Sequence, residues 1–197
     1  MNVAIIDYNA GNVCSVVNAL KRLGIEPAVT ADKDVIQAAD KVIFPGQGEA
    51  TQTMHYLKAH RLDELICNLK QPVLGICIGM QLLCKSSEEG NVDCLGIFDA
   101  PVQRFLPHRH ADKVPHIGWN TLTGLKGDLY KGITEGAFVY FVHSYYVPLN
   151  ANGIATTDYI QPFCASLQKS NFFATQFHPE KSGAVGAQIL QNFIDVF

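Results

Sequence analysis

One cysteine in this 197-residue chain stands where a nucleophile would stand. The stretch "PVLGICIGMQLL", residues 72–83, puts Cys77 between Gly75 and Gly79, where an apolar strand-like run hands over to a helix-like one. A sharp strand-to-helix turn lifts a side chain clear of the sheet, and glycines remove the Cβ atoms that would crowd it. The start of a helix favours the reactive thiolate, and backbone N–H groups there, Ile78's among them, can stabilise an oxyanion. A thiolate also needs a proton partner. The segment "ATQFHPEKS", residues 174–182, offers His178 with Glu180 two positions on and Pro179 between them. Proline biases the residue before it toward extended backbone, and two-residue spacing there directs both side chains to one side. Glu180 could then orient His178, as the third member of a nucleophile–base–acid set does. A third segment, "FPGQGEA" (44–50), carries Gly46 and Gly48 in a loop able to present N–H groups to an oxyanion or a carboxylate. Each piece alone has a plainer reading: a buried cysteine in a tight joint, a polar surface pair, an ordinary turn.

The elements that must position these residues alternate in kind. Apolar runs at 3–6, 27–30, 41–46 and 72–76 read as buried strands. Between them, Val13, Val16, Val17, Leu20 and Leu23 recur at helical spacing with Gly24 as a stop, and a second helical pattern covers 49–69, broken near His60. Buried strands separated by helices predict a parallel sheet covered on both faces, with function at the carboxyl ends of its strands. Asp7, residues 45–48 and Cys77 fall at such ends. The second half reads as short strands at 102–105, 119–123, 137–142, 154–157, 164–167 and 172–176, whose close spacing predicts antiparallel pairing added to the parallel core. From Ser182 a last amphipathic helix carries Val185, Ile189, Leu190, Phe193 and Ile194. The expectation is a three-layer, flavodoxin-like α/β fold with a mostly parallel sheet and an antiparallel extension, all of 1–197 forming one domain.

Composition narrows the function. With 48% hydrophobic residues the chain can bury a core, and a net charge of −3 argues against a nucleic-acid surface. No apolar run reaches the ~20 residues of a membrane span, and the early Asp7 does not fit a signal peptide. Cys14, Cys67, Cys77, Cys84, Cys94 and Cys164 form no CxxC pair or zinc-type cluster, so no metal site is expected, and they read as reduced thiols of a cytoplasmic protein, most of them buried. Neither a P-loop nor a Rossmann-type glycine run is present, and no cofactor is expected.

The segments GICIGMQ (75–81), PGQG (45–48) and FHPE (177–180) together resemble, in order and spacing across essentially the whole chain, the triad-type class I glutamine amidotransferases. "KVPHIGWN" (113–120), "YFVHSYY" (140–146) and "DYNAGN" near the start are similar to the glutaminase subunits of imidazole glycerol phosphate synthase. The resemblance implies attack of Cys77 on the carboxamide of L-glutamine, with His178 as proton shuttle and Glu180 as its holder. It implies an oxyanion hole from the N–H of Ile78 and of Gly46 or Gln47. Gln81 matches a glutamine-binding position, and the backbone at Ser144 and Tyr145 matches the segment holding the amino-acid end. It implies a (β/α)8-barrel cyclase partner that uses the ammonia, with Asn12, Trp119 and Lys181 as candidates for the docking face. Trp119 also has a simpler reading as a core anchor. Gln47 and Glu49 depart from the small or neutral residues usual in such relatives, which bears on regulation of the oxyanion loop. Glutaminases feeding other synthases, γ-glutamyl hydrolases, a flavodoxin-like or receiver domain centred on Asp7, and an inactive scaffold remain alternatives at this point.

Overall fold

The computed structural model describes residues 1–8, 13–46 and 48–195. In chain order the elements are β1 (Val3–Ile6), α1 (Val13–Arg22), β2 (Ala28–Thr30), α2 (Lys33–Ala38), β3 (Lys41–Phe44), α3 (Ala50–Ala59), α4 (Leu62–Asn68), β4 (Val73–Ile76) and α5 (Ile78–Leu82). There follow β5 (Cys84–Ser87), β6 (Val92–Asp93), β7 (Phe98–Arg104), β8 (His116–Thr121), β9 (Phe138–His143), β10 (Tyr145–Tyr146), β11 (Gly153–Asp158), β12 (Pro162–Lys169), β13 (Phe172–Thr175) and α6 (Gly183–Asp195).

A seven-stranded sheet in the order β11-β12-β13-β4-β3-β1-β2 forms the middle layer. β13, β4, β3, β1 and β2 run parallel, and β11 and β12 extend the sheet antiparallel. Period-two alternation divides the strand residues between two cores. Ile5, Ile43, Leu74 and Phe173 face the side covered by α1 and α6; Ile6, Val42, Phe44 and Val73 face that of α3, α4 and α5. This is the expected three-layer α/β arrangement, antiparallel extension included.

The outer pieces differ from the sequence reading in detail. α2 was not anticipated: it has six residues and a single fully buried side chain, Ile36, and its start is fixed by Asp32 accepting from the Asp34 and Val35 amides. β5 was also unanticipated, because "CKSS" lacks β-branched residues, and β7 begins four residues before the expected run. β10-β7-β5-β6 make a second, mixed sheet in which β5 and β7 run parallel, and β8–β9 make a separate antiparallel ribbon, so the later strands fall into three groups, of which β11 and β12 extend the main sheet. Of the cysteines, only Cys84 and Cys164 are buried; Cys14 is exposed and Cys67, Cys77 and Cys94 lie between, against the expectation that most are buried.

Candidate active site

Cys77 follows β4 directly and holds φ 54° and ψ −108°, a region that costs a residue with a side chain about 1–3 kcal/mol. The surroundings enforce it. Its N–H donates to the Thr175 carbonyl of the neighbouring strand at 2.7 Å, and its carbonyl accepts from the Gln81 N–H at 3.2 Å. The flanking glycines allow close approach: a Cβ on Gly79 would collide with the Phe44 carbonyl, and one on Gly75 would lie 2.7 Å from the Leu83 side chain. α5 has only five residues, all buried, and its opening amides, Ile78's first, have no partner within the helix.

His178 is the third residue after β13. Its N–H donates to the Tyr140 carbonyl at 2.9 Å, and its Nδ1 donates to Glu180 Oε1 at 2.8 Å, since a carboxylate only accepts. The ring is 2% exposed. Extended backbone stops at His178: residues Pro179–Lys181 form a 3₁₀ turn, so Glu180 reaches the imidazole by chain reversal rather than by the extended two-residue spacing expected. Burial alone would lower the His178 pKa. Interaction with the Cys77 sulfur and with Glu180 overrides it and pushes the value up to about 10. Nε2 is buried with no hydrogen-bond partner of ordinary geometry, yet interaction with the Cys77 sulfur leads the influences that raise the ring's pKa, which places the two groups within reach of each other.

Cys77 and His178 line one cavity of about 530 Å³, together with Gly46, Ile78, Gln81, Ser144, Tyr145 and Lys181. That volume suits a small metabolite. Gln81 does not offer its amide N–H groups to the cavity. Nε2 donates to the Tyr145 carbonyl at 3.1 Å and to Gln176 Oε1 at 2.9 Å. Trp119 is 54% exposed and packs edge-on to Tyr140, so its reading as a core anchor falls. Gln47 and Asn12 lie outside the described residues.

Two residues of the site escaped the sequence reading. Gln176, fully buried, points Nε2 at the Cys77 sulfur at 3.8 Å; its position two before His178 was the available signal. Glu89 is the one carboxylate among the described lining residues of the cavity. Its Oε2 accepts from the Ala50 N–H at 3.0 Å, and burial raises its pKa. Glu49 turns its side chain to α3 instead, capping the Thr51 and Gln52 amides. No cluster able to hold a metal ion occurs among the described residues, and no helix among them is long and apolar enough to cross a membrane.

Residues 4–196 match the family "Glutamine amidotransferase class-I", and the chain belongs to that family. Among its curated relatives, the protein named imidazole glycerol phosphate synthase subunit HisH of Bacteroides fragilis is 63% identical over 196 residues, covering 100% of both chains. Proteins of the same name from Escherichia coli K12 and Yersinia pestis are 47% and 46% identical over 202 residues, again at full coverage of both chains. Their name makes each of them a subunit of a larger enzyme. In fold, the chain superposes on a solved glutamine amidotransferase with a TM-score of 0.74 at 19% identity, covering 98% of this chain and 97% of that one. A Thermotoga maritima glutamine amidotransferase gives a TM-score of 0.65 at 16% identity, with 99% and 83% covered.

Proposed function

We propose that this chain, a single domain over 1–197, is the glutaminase subunit of imidazole glycerol phosphate synthase. The observation that carries the reading is the strained Cys77 turn sharing a cavity with the His178–Glu180 pair. The Cys77 sulfur attacks the carboxamide carbon of L-glutamine. As the tetrahedral adduct collapses, the proton on His178 goes to the leaving nitrogen, releasing ammonia and a γ-glutamyl thioester. Neutral His178 then takes a proton from water, whose oxygen attacks the thioester, and glutamate leaves as the thiolate is restored. Glu180 holds Nδ1 throughout. Ile78 N–H, with Gly46 or Gln47, faces the developing oxyanion, where one donor is worth ~10²–10³ in rate.

The amino-acid end of the substrate lies along Ser144 and Tyr145. Tyr145 stands opposite Arg104, and the Phe105 N–H donates to the Ser144 carbonyl at 3.0 Å. In this register the ladder does not use the Tyr145 N–H, which is left for a carboxylate. Glu89 supplies the countercharge for the substrate ammonium.

Ammonia freed into neutral water becomes non-nucleophilic ammonium, so productive use needs an acceptor enzyme over the site. The reading assigns a (β/α)8-barrel cyclase that converts PRFAR to imidazole glycerol phosphate and AICAR in the cytoplasm. Trp119, Lys181 and Asn12 belong to its docking face. Ile117, Trp119 and Phe138 are 61%, 54% and 57% exposed on the β8–β9 ribbon, an apolar area that fits this role. The test is co-purification with such a cyclase followed by a glutaminase assay. The isolated chain should turn over glutamine poorly, with a rise of at least ~10²-fold on adding cyclase and its nucleotide. Full activity without a partner would remove the regulatory half of the reading.

A further inference from the structure

The histidine of "PHIGWN" has a structural partner that neither the triad nor the docking face explains. His116 and His143 face each other across the β8–β9 ribbon as a register pair, both side chains buried. Three hydrogen bonds run through them in one direction. His143 Nδ1 lies 2.7 Å from the Tyr145 carbonyl, which can only accept, so Nδ1 carries the proton. Burial, stronger than the opposing bond to Tyr145, lowers the His143 pKa to about 3, so the ring is neutral and Nε2 is an acceptor. His116 Nδ1, 3.0 Å away, must then be the donor. Burial likewise lowers His116 to about 4, leaving its Nε2 to accept from Asn120 Nδ2 at 3.4 Å. Asn120 is oriented by donation to the Asp158 carbonyl at 3.0 Å and by the Thr121 N–H donating to its Oδ1 at 2.8 Å.

At its inner end this relay meets the site. The Tyr145 carbonyl has two lone pairs and two donors, His143 Nδ1 and Gln81 Nε2. The preceding carbonyl, that of Ser144, is held by Phe105. The orientation of the 144–145 backbone is therefore fixed by its acceptors. We propose that His116 is a positioning residue for substrate binding: by donating to His143 it holds the carbonyl of Tyr145, the residue whose own N–H, across its Cα in the preceding peptide, receives the carboxylate of a glutamine-like ligand. The proposal rests on the glutaminase reading, and it assigns His116 an effect on ligand affinity rather than on the chemistry at Cys77.

Two replacements separate the hydrogen bond from the packing. The His116 ring stacks on Tyr159 at 3.9 Å and on Phe141 at 4.9 Å. His116→Phe keeps the stack and removes the donor. His116→Asn removes the stack but puts an amide N–H at the position of Nδ1. The full-length chain is treated with 6-diazo-5-oxo-L-norleucine, which carries the amino-acid end of glutamine, and separately with iodoacetamide, which lacks it; labelling of Cys77 is followed by mass spectrometry. In His116→Phe the half-saturating concentration of the glutamine analogue should rise about tenfold while the iodoacetamide rate stays within about twofold. His116→Asn should recover most of the loss, and Tyr159→Leu, which weakens the stack and drops the hydroxyl bond to the Lys113 carbonyl but leaves the relay, should match the unaltered chain. Were His116→Phe not to fold, His116→Val beside His116→Asn makes the same comparison. The proposal is overturned if the donor-free variant saturates normally, if His116→Asn is no better, or if Tyr159→Leu reproduces the defect. If the unaltered chain shows no saturable labelling by the analogue either alone or with the cyclase and its nucleotide, the glutaminase reading itself falls and takes the proposal with it.

Discussion

Two segments leave the same end of neighbouring parallel strands, β4 and β3, paired through Gly75 and Phe44, and they are held in opposite ways. The turn after β4 is fixed at the proposed nucleophile itself. Cys77 is bonded through both its N–H and its carbonyl, and no room remains beside the glycines that flank it. The segment after β3 is packed closely at Gly46, where a Cβ would collide with the Ile78 side chain, and beyond it is fixed from its flanks. On one side the buried Tyr8 hydroxyl donates to the Pro45 carbonyl. On the other, Glu49 caps α3 and the Ala50 N–H is held by Glu89. Gly48, between these anchors, is exposed, and a Cβ there would meet only the Thr53 hydroxyl at 3.5 Å. The proposed nucleophile, held at its own backbone, should fail abruptly when altered. Donors held from the flanks should respond by degrees.

The sharpest break should come from Cys77→Ala. Glutamine-dependent synthesis by the complex should fall at least ~10⁴-fold while ammonia-dependent synthesis persists; retained glutamine turnover would remove Cys77 from the chemistry. Glu180→Gln should cost ~10²–10⁴ in glutaminase kcat. It should also move the alkaline limb of the pH–rate profile downward, because Glu180 is one of the groups that raise His178 to about 10. The same shift sets a stability trend. A raised imidazole pKa contributes stability fully present below pH ~6.5 and lost as pH climbs through about 10, so the unaltered chain should lose melting temperature over that window and Glu180→Gln should lose less.

Gly79→Ala tests the close fit directly. Pressing a methyl group on the Phe44 carbonyl should destabilise the fold by ~1–3 kcal/mol in denaturant titrations and lower turnover with it. The gentlest effect is expected on the other side of the comparison: Glu49→Ala removes two cap bonds, for about 1 kcal/mol, and should alter partner-stimulated turnover by less than about fivefold. A large catalytic loss there, with stability unchanged, would mean that Glu49 acts on the substrate and that the contrast between the two segments is wrong.

Much of the parallel core was legible because buried strands and amphipathic helices write their period directly into the chain. Cys77, His178 and Glu180 could be picked out for a related reason: each lies within two residues of a glycine or proline that constrains the local backbone. Gln176 carries only the faint signal of its place two before His178, and Glu89 and the His116–His143 pair carry none, since their meaning depends on which strand lies beside which. Glu89 faces the cavity only because the β5–β6 turn folds back over the start of α3, and β5 has no apolar alternation to announce it. The division of the later strands into three groups was equally invisible. Spacing predicts that neighbouring strands turn back on one another, but not which sheet receives them.

The parallel pairing of β13 with β4 aligns Thr175 with Ile76. Beyond that pair, Gln176 points at the sulfur and His178 lines the same cavity, while Phe177 is sealed into the core under α1 and α6. Because facing reverses with every residue, shifting this ladder by a single step would present a phenyl ring to the thiol and bury the imidazole behind the sheet. The interstrand alignment thus acts as a vernier for the chemistry, and substitutions deep in β13, remote from any ligand, should be able to extinguish activity in a chain that still folds.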